Sequence, residues 1–121
     1  MSNSPTPLNQ EALALLQLLE TDQPGSLARL IRLFVADAPA LLSRIEIAHE
    51  RRDPEELRQA AHYLRSAALA LGADALAVTA QQIEHLCPDQ IGATEGNVRL
   101  SALRSGLRDA VLSLLQVTTE L

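Results

Sequence analysis

The side chains able to do chemistry are few: three histidines and one cysteine in 121 residues. His62 stands three residues before Arg65 and four before Ser66. On a helix such spacings bring side chains to one face. A charged stem, a small neighbour and an exposed imidazole make sense together if something must reach that ring. Taken singly, a surface histidine is most simply an ordinary exposed residue. Glu46-x-x-His49 is one copy of the spacing used in carboxylate-bridged di-iron proteins, without the second copy such sites need. His85-x-Cys87 falls short of the four ligands of a structural zinc site. Both read as ordinary helix residues. No Gly-rich phosphate loop or nucleotide-binding motif occurs, and no Ser/His/Asp or Cys/His set can be argued from spacing.

The elements that must position His62 are set by periodicity. Between Pro54 and Leu71, the residues Leu57, Ala61, Leu64, Ala68 and Leu71 recur at four- and three-residue steps, which predicts a helix with one apolar stripe. At about 100° per residue, His62 points away from that stripe, with Glu55, Gln59 and Ser66. Asp53-Pro54 opens this helix as cap and first-turn proline, and Gly72 closes it in a left-handed cap. A first short helix is expected from Leu8 to Glu20 on Leu8, Ala12, Leu15, Leu16 and Leu19. Thr21 to Gly25 read as a turn, with Asp22 or Ser26 capping the next helix. That second helix runs on Leu27, Leu30, Ile31, Phe34, Ala38, Leu41, Leu42, Ile45 and Ala48, with a kink or local break expected at Pro39. Asp74 caps a fourth helix on Leu76, Ala80, Ile83 and Cys87, so that Cys87 reads as a small buried hydrophobe. A fifth extends from about Glu95 to Thr118 on Leu100, Leu103, Leu107, Ala110, Val111, Leu114 and Leu115. No segment alternates as a strand would. The expected fold is all-α: an antiparallel four-helix bundle with a short extra N-terminal helix, over residues 8–121, behind a disordered lead at residues 1–7.

Composition narrows the function. The chain has 47% hydrophobic residues but no Trp, one Phe and one Tyr, so its core is aliphatic. One cysteine excludes an internal disulfide and suits a reducing compartment. Net charge is −5 and every base is an arginine, without a basic cluster. That argues against nucleic acid and anionic membranes as partners. No apolar run reaches the roughly 18 residues of a membrane span, and Met1 to Pro7 lack the pattern of a secretion signal. A cytoplasmic chain is expected.

The run His62-Tyr63-Leu64-Arg65-Ser66-Ala67-Ala68-Leu69-Ala70-Leu71-Gly72 resembles the histidine-containing phosphotransfer (HPt) domain family. That pattern places an apolar residue, a Lys or Arg and small residues after the histidine, and ends on Leu-Gly. Leu64, Arg65, Ala67, Ala68, Leu71 and Gly72 match in register. Phe34 in a helix with an internal proline, the Asp53 boundary and the Ile83-Glu84 pair fit as well.

The resemblance implies a phosphocarrier of a two-component His–Asp phosphorelay, not an enzyme. His62 would carry the phosphoryl group on Nε2 and exchange it with the aspartate of a response-regulator receiver domain. The partners implied are that receiver and a sensor or hybrid histidine kinase, with the carrier a monomer. No cofactor is implied on this chain; Mg²⁺ is expected on the receiver. Arg65 would touch the phosphoryl oxygens, or is a solubilising charge. Ser66 stands where the family most often has Gly, and its extra atoms either crowd the phosphoryl group or hydrogen-bond to it. Glu84 either accepts from the His62 Nδ1–H, leaving Nε2 to react, or is a solvated charge. Gln59 and Leu69 fall beside His62 on the expected partner-binding face, where Leu69 is a docking residue or a scattered surface leucine. Leu33 and Ala40 of the second helix are candidates to join that face. The alternative function is a degenerate HPt-like bundle that binds partners without transferring phosphate.

Overall fold

The computed structural model describes residues 8–120, so the lead expected over residues 1–7 lies outside the described residues. Five helices are arranged in the order α1 Gln10–Asp22, α2 Ser26–Glu50, α3 Pro54–Ala70, α4 Asp74–Glu84 and α5 Thr94–Glu120. Among the described residues there is no strand, as an Ala- and Leu-rich chain with few β-branched runs leads one to expect.

Four helices close a ring: α2 packs on α3, α3 on α4, α4 on α5, and α5 back on α2. Neighbours run in opposite directions. Arg44 late in α2 pairs with Glu56 early in α3. Only residues 71–73 join α3 to α4, and from the second half of α3 Arg65 reaches across to Glu84 at the end of the shorter α4. Ile31, Ile45, Leu64, Leu76, Ile83 and Leu103 are fully buried where the stripes meet. Each such side chain contributes about 1.5–3 kcal/mol by leaving water.

α1 lies against α2 alone. It spans Gln10 to Asp22, not Leu8 to Glu20, because Asn9 is the cap, its side chain accepting from the amides of Glu11 and Ala12. With a single neighbouring helix, only a narrow stripe is covered. Leu13 is buried, while Leu15 and Leu19, both assigned above to the apolar side, are exposed. The turn is correspondingly shorter, and neither Asp22 nor Ser26 caps α2. Gly25 takes the cap position with φ 90°, and Glu20 reaches across the turn so that its carboxylate accepts from the amides of Gly25 and Leu27. A long acidic side chain thus does what a short cap residue usually does.

Pro39 causes no break, and α2 is continuous from Ser26 to Glu50. The proline is on the exposed side, where water can satisfy the carbonyl that loses its amide partner. Asp53 does cap α3, accepting from the Glu56 amide, and Gly72 is left-handed at φ 73°. Asp74, expected to cap α4, is instead its first residue behind Ala73. Its carboxylate accepts from the Asn9 side chain at 2.7 Å, and the Asn9 amide donates to the Gly72 carbonyl. The start of α1 is therefore pinned to the α3–α4 turn. Cys87 is exposed and outside α4. Pro88 disfavours helical backbone in the residue before it, so the stripe ends at Ile83. In α5, Val111 is half-buried and Leu115 exposed.

Candidate functional site: His62, Arg65 and Glu84

α3 is held at both ends and along one side. Asp53 and Pro54 fix its start, Gly72 turns the chain at its end, and Leu57, Ala60, Ala61, Leu64 and Ala68 are buried. Glu55, Gln59, His62, Ser66 and Leu69 remain outside the core on the other face. The His62 side chain is 60% exposed.

Among the described residues, both polar contacts of the imidazole fall on Nδ1. The Arg65 Nη2 lies 3.1 Å from it, and a Glu84 carboxylate oxygen lies 3.5 Å from it. Arg65 Nε is 3.0 Å from the other Glu84 oxygen. That approach is close but poorly aligned, so neither Arg65 Nε nor Glu84 Oε1 has a hydrogen-bond partner although both are buried. The pair is a charge contact more than a directed bond. It counts nonetheless, because the Glu84 side chain is only 10% exposed and needs a cation beside it. The hairpin of α3 and α4 about Gly72 brings Glu84 to the pair that His62 and Arg65 make one turn apart on α3.

Of the other candidates, Ser66 is exposed at its place one turn beyond His62. Gln59 donates to Glu55 at 3.3 Å, along the same face. Leu69 is exposed. Leu33 and Ala40 are exposed on α2. Tyr63, unremarked in the sequence, is exposed beside His62 and lines an apolar cleft of about 280 Å³ with Leu30, Leu33, Phe34, Leu41 and Ala67. Its position directly after the histidine was the available signal. Placing it in a cleft required knowing how α2 packs on α3.

The second histidine is unlike its reading as an ordinary helix residue. His49 is 5% exposed and its Nε2 has no hydrogen-bond partner. The ring fills the space beside Gly96, where any Cβ would collide with it. Burial lowers its pKa, and the charges of Arg104 and Arg52 lower it further. Glu46, the other half of the Glu-x-x-His spacing, pairs with Arg104 at 2.7 Å. Among the described residues no three His, Cys, Asp or Glu side chains gather as a metal site would require.

A model of the Hpt domain family matches residues 29–117, which takes in α3 with His62, the whole of α4, and most of α2 and α5. No curated protein matches the chain. An exposed imidazole on a fixed helix, with a guanidinium and a carboxylate at its Nδ1, lies in the middle of the matched span. With well over half of its length so matched, the chain belongs to the Hpt domain family.

Proposed function

We propose that His62 is the phosphorylated residue of a His–Asp phosphorelay carrier, on an antiparallel four-helix bundle. Hpt domains are histidine phosphotransfer modules that interact with response-regulator receivers and kinases and are generally not enzymes. One observation supports the assignment to His62 above the rest: the ring is exposed while its Nδ1 is engaged by Arg65 and Glu84, so that Nε2 is the nitrogen a partner would meet.

In the transfer step the Nε2 lone pair attacks the phosphorus of a receiver aspartyl phosphate. The N–P bond forms, the P–O bond to the aspartate breaks, and its electron pair stays on the aspartate carboxylate. Arg65 is close enough to offer donors to the phosphoryl oxygens, and Ser66 borders the space they occupy. The acid cluster and Mg²⁺ that stabilise the transferring group belong to the receiver, so that little beyond access is required of the carrier. Gln59 and Leu69, with the cleft of Leu33 and Tyr63, supply a mixed polar and apolar surface around the histidine on which a receiver can dock. The same reading has the chain working as a cytoplasmic monomer. No helix among the described residues is long and apolar enough to cross a membrane.

Incubation with a phosphorylated receiver should give acid-labile label on the wild-type chain and none on His62→Gln, with helicity retained. Label on that variant would overturn the assignment. A wild-type chain that binds receivers and never acquires label would instead be a non-transferring interaction module.

A further inference from the structure

We propose that Arg65 is a tautomer latch: it holds resting His62 with its proton on Nε2, and an incoming phosphoryl group releases it. The proposal rests on the reading of His62 as the phosphoryl carrier and adds a means by which the carrier is switched on.

Nδ1 has two neighbours of opposite demand. A guanidinium has donors and no acceptor. Arg65 Nη2, at 3.1 Å, therefore requires a lone pair on Nδ1. A neutral imidazole has one N–H, so its proton is then on Nε2 and the attacking lone pair is missing. Glu84, at 3.5 Å, is the reverse case. An ionised carboxylate only accepts, so it calls for Nδ1–H and leaves the Nε2 lone pair free. One nitrogen cannot satisfy both. In the resting geometry the guanidinium is the nearer by 0.4 Å, being at 3.1 Å against 3.5 Å.

The surroundings allow the exchange. The Arg65 side chain is 27% exposed and one turn from His62 on the same helix, so its guanidinium can turn outward to an anion at Nε2. Glu84 Oε1 has no aligned donor at present, which leaves the carboxylate with unused accepting capacity. When the guanidinium leaves, the buried carboxylate loses its cation, and an imidazole N–H is the donor within reach. The proton lost from Nε2 returns to Nδ1 through water, to which the ring is open. Attack by Nε2 then forms the N–P bond, the P–O bond breaks toward the aspartate, and the positive charge left on the ring sits at Nδ1–H beside Glu84. A phosphorylated receiver thus unmasks its own acceptor, and the nucleophile is masked in its absence.

The ring ¹⁵N shifts of His62 in the ¹⁵N-labelled full chain, recorded at alkaline pH, report the tautomer directly. Wild type should be more fully Nε2–H than a free histidine side chain, which already favours that tautomer. Arg65→Met keeps the packing stem but no donors, and should become predominantly Nδ1–H. Arg65→Met with Glu84→Ala should return to the mixture of free imidazole. A wild-type ring no more fully Nε2–H than free histidine overturns the latch without any variant, and so does an Arg65→Met ring identical to wild type in a folded chain. The carrier reading is tested apart from this by label on His62. A chain that takes label with no tautomer change loses only the latch, whereas a chain that never takes label loses both.

Discussion

At the scale of single residues, His62 depends less on its own properties than on two neighbours that compete for one nitrogen. Arg65 and Ser66 bracket the space where a phosphoryl group would sit, and of these Ser66 is the departure from the common family pattern. Ser66 is not buried, and its Cβ and hydroxyl stand one turn beyond the ring. If His62 carries the phosphoryl group as proposed, crowding is the stronger effect, because the receiver's own groups would satisfy the phosphoryl oxygens. Ser66→Gly should therefore raise the initial rate of label transfer from a phosphorylated receiver several-fold. It should also lower stability by about 0.5 kcal/mol through the helix propensity of glycine. A slower Ser66→Gly would show that the hydroxyl is a hydrogen-bonding aid to transfer.

Helices carry the next level of explanation, and the α2–α5 contact shows how one residue sets an interhelical distance. The His49 ring occupies the place a Gly96 side chain would take, and the Gln90 carbonyl stands 2.6 Å from that same point. Alanine at Gly96 gains up to about 1 kcal/mol of helix propensity but must displace a ring and a backbone carbonyl, a cost of about 1–3 kcal/mol. The clash wins, so Gly96→Ala should lower the urea midpoint with no change in the far-ultraviolet spectrum. The same contact makes stability depend on pH. His49 would titrate near about 6.5 in the unfolded chain, and burial, then Arg104 and Arg52, lower it in the fold. Glu46 and Glu50 also line its pocket, and Glu46 is already engaged by Arg104. The unfolded chain therefore takes up a proton that the fold refuses. Stability is full above about pH 6.5 and declines as pH falls from there toward the lowered folded value. Urea midpoints from about pH 7.5 to about 5.5 should fall for wild type and be flatter for His49→Gln; equal slopes would remove His49 as the cause.

At the scale of the whole molecule, the face carrying His62 is also where apolar side chains meet solvent between α2 and α3. Leu30, Leu33 and Tyr63 are exposed there, and Leu69 is exposed on α3 itself, while the opposite side of α3 is sealed into the core. Reactivity and recognition are thus separable on one surface. Leu33→Glu should weaken receiver binding roughly tenfold or more, the scale of a well-packed interface residue. Labelling of His62 by a small phosphoryl donor such as phosphoramidate should be unchanged. Titration calorimetry and the label assay check the two halves, and equal loss in both would mean that the substitution damaged the fold. The helices themselves were legible because their apolar stripes recur at strong period, and boundaries in α3 came within one residue for the same reason. Less was legible in α1, where a leucine-rich segment offers several faces and only its packing on α2 chooses Leu13 over Leu15 and Leu19.

The sequence by itself determined that His62 faces away from the apolar stripe of its helix, a consequence of local spacing and the Asp53-Pro54 start. It also carried the likeness to the family whose model matches residues 29–117. Only the tertiary structure decided what meets the ring. Glu84 comes to Nδ1 because α4 folds back on α3, and His49 is buried because Gly96, on a helix far along the chain, has no side chain to keep it out. Contacts between helices depend on rotation and crossing about each axis, and no periodicity within one helix encodes these.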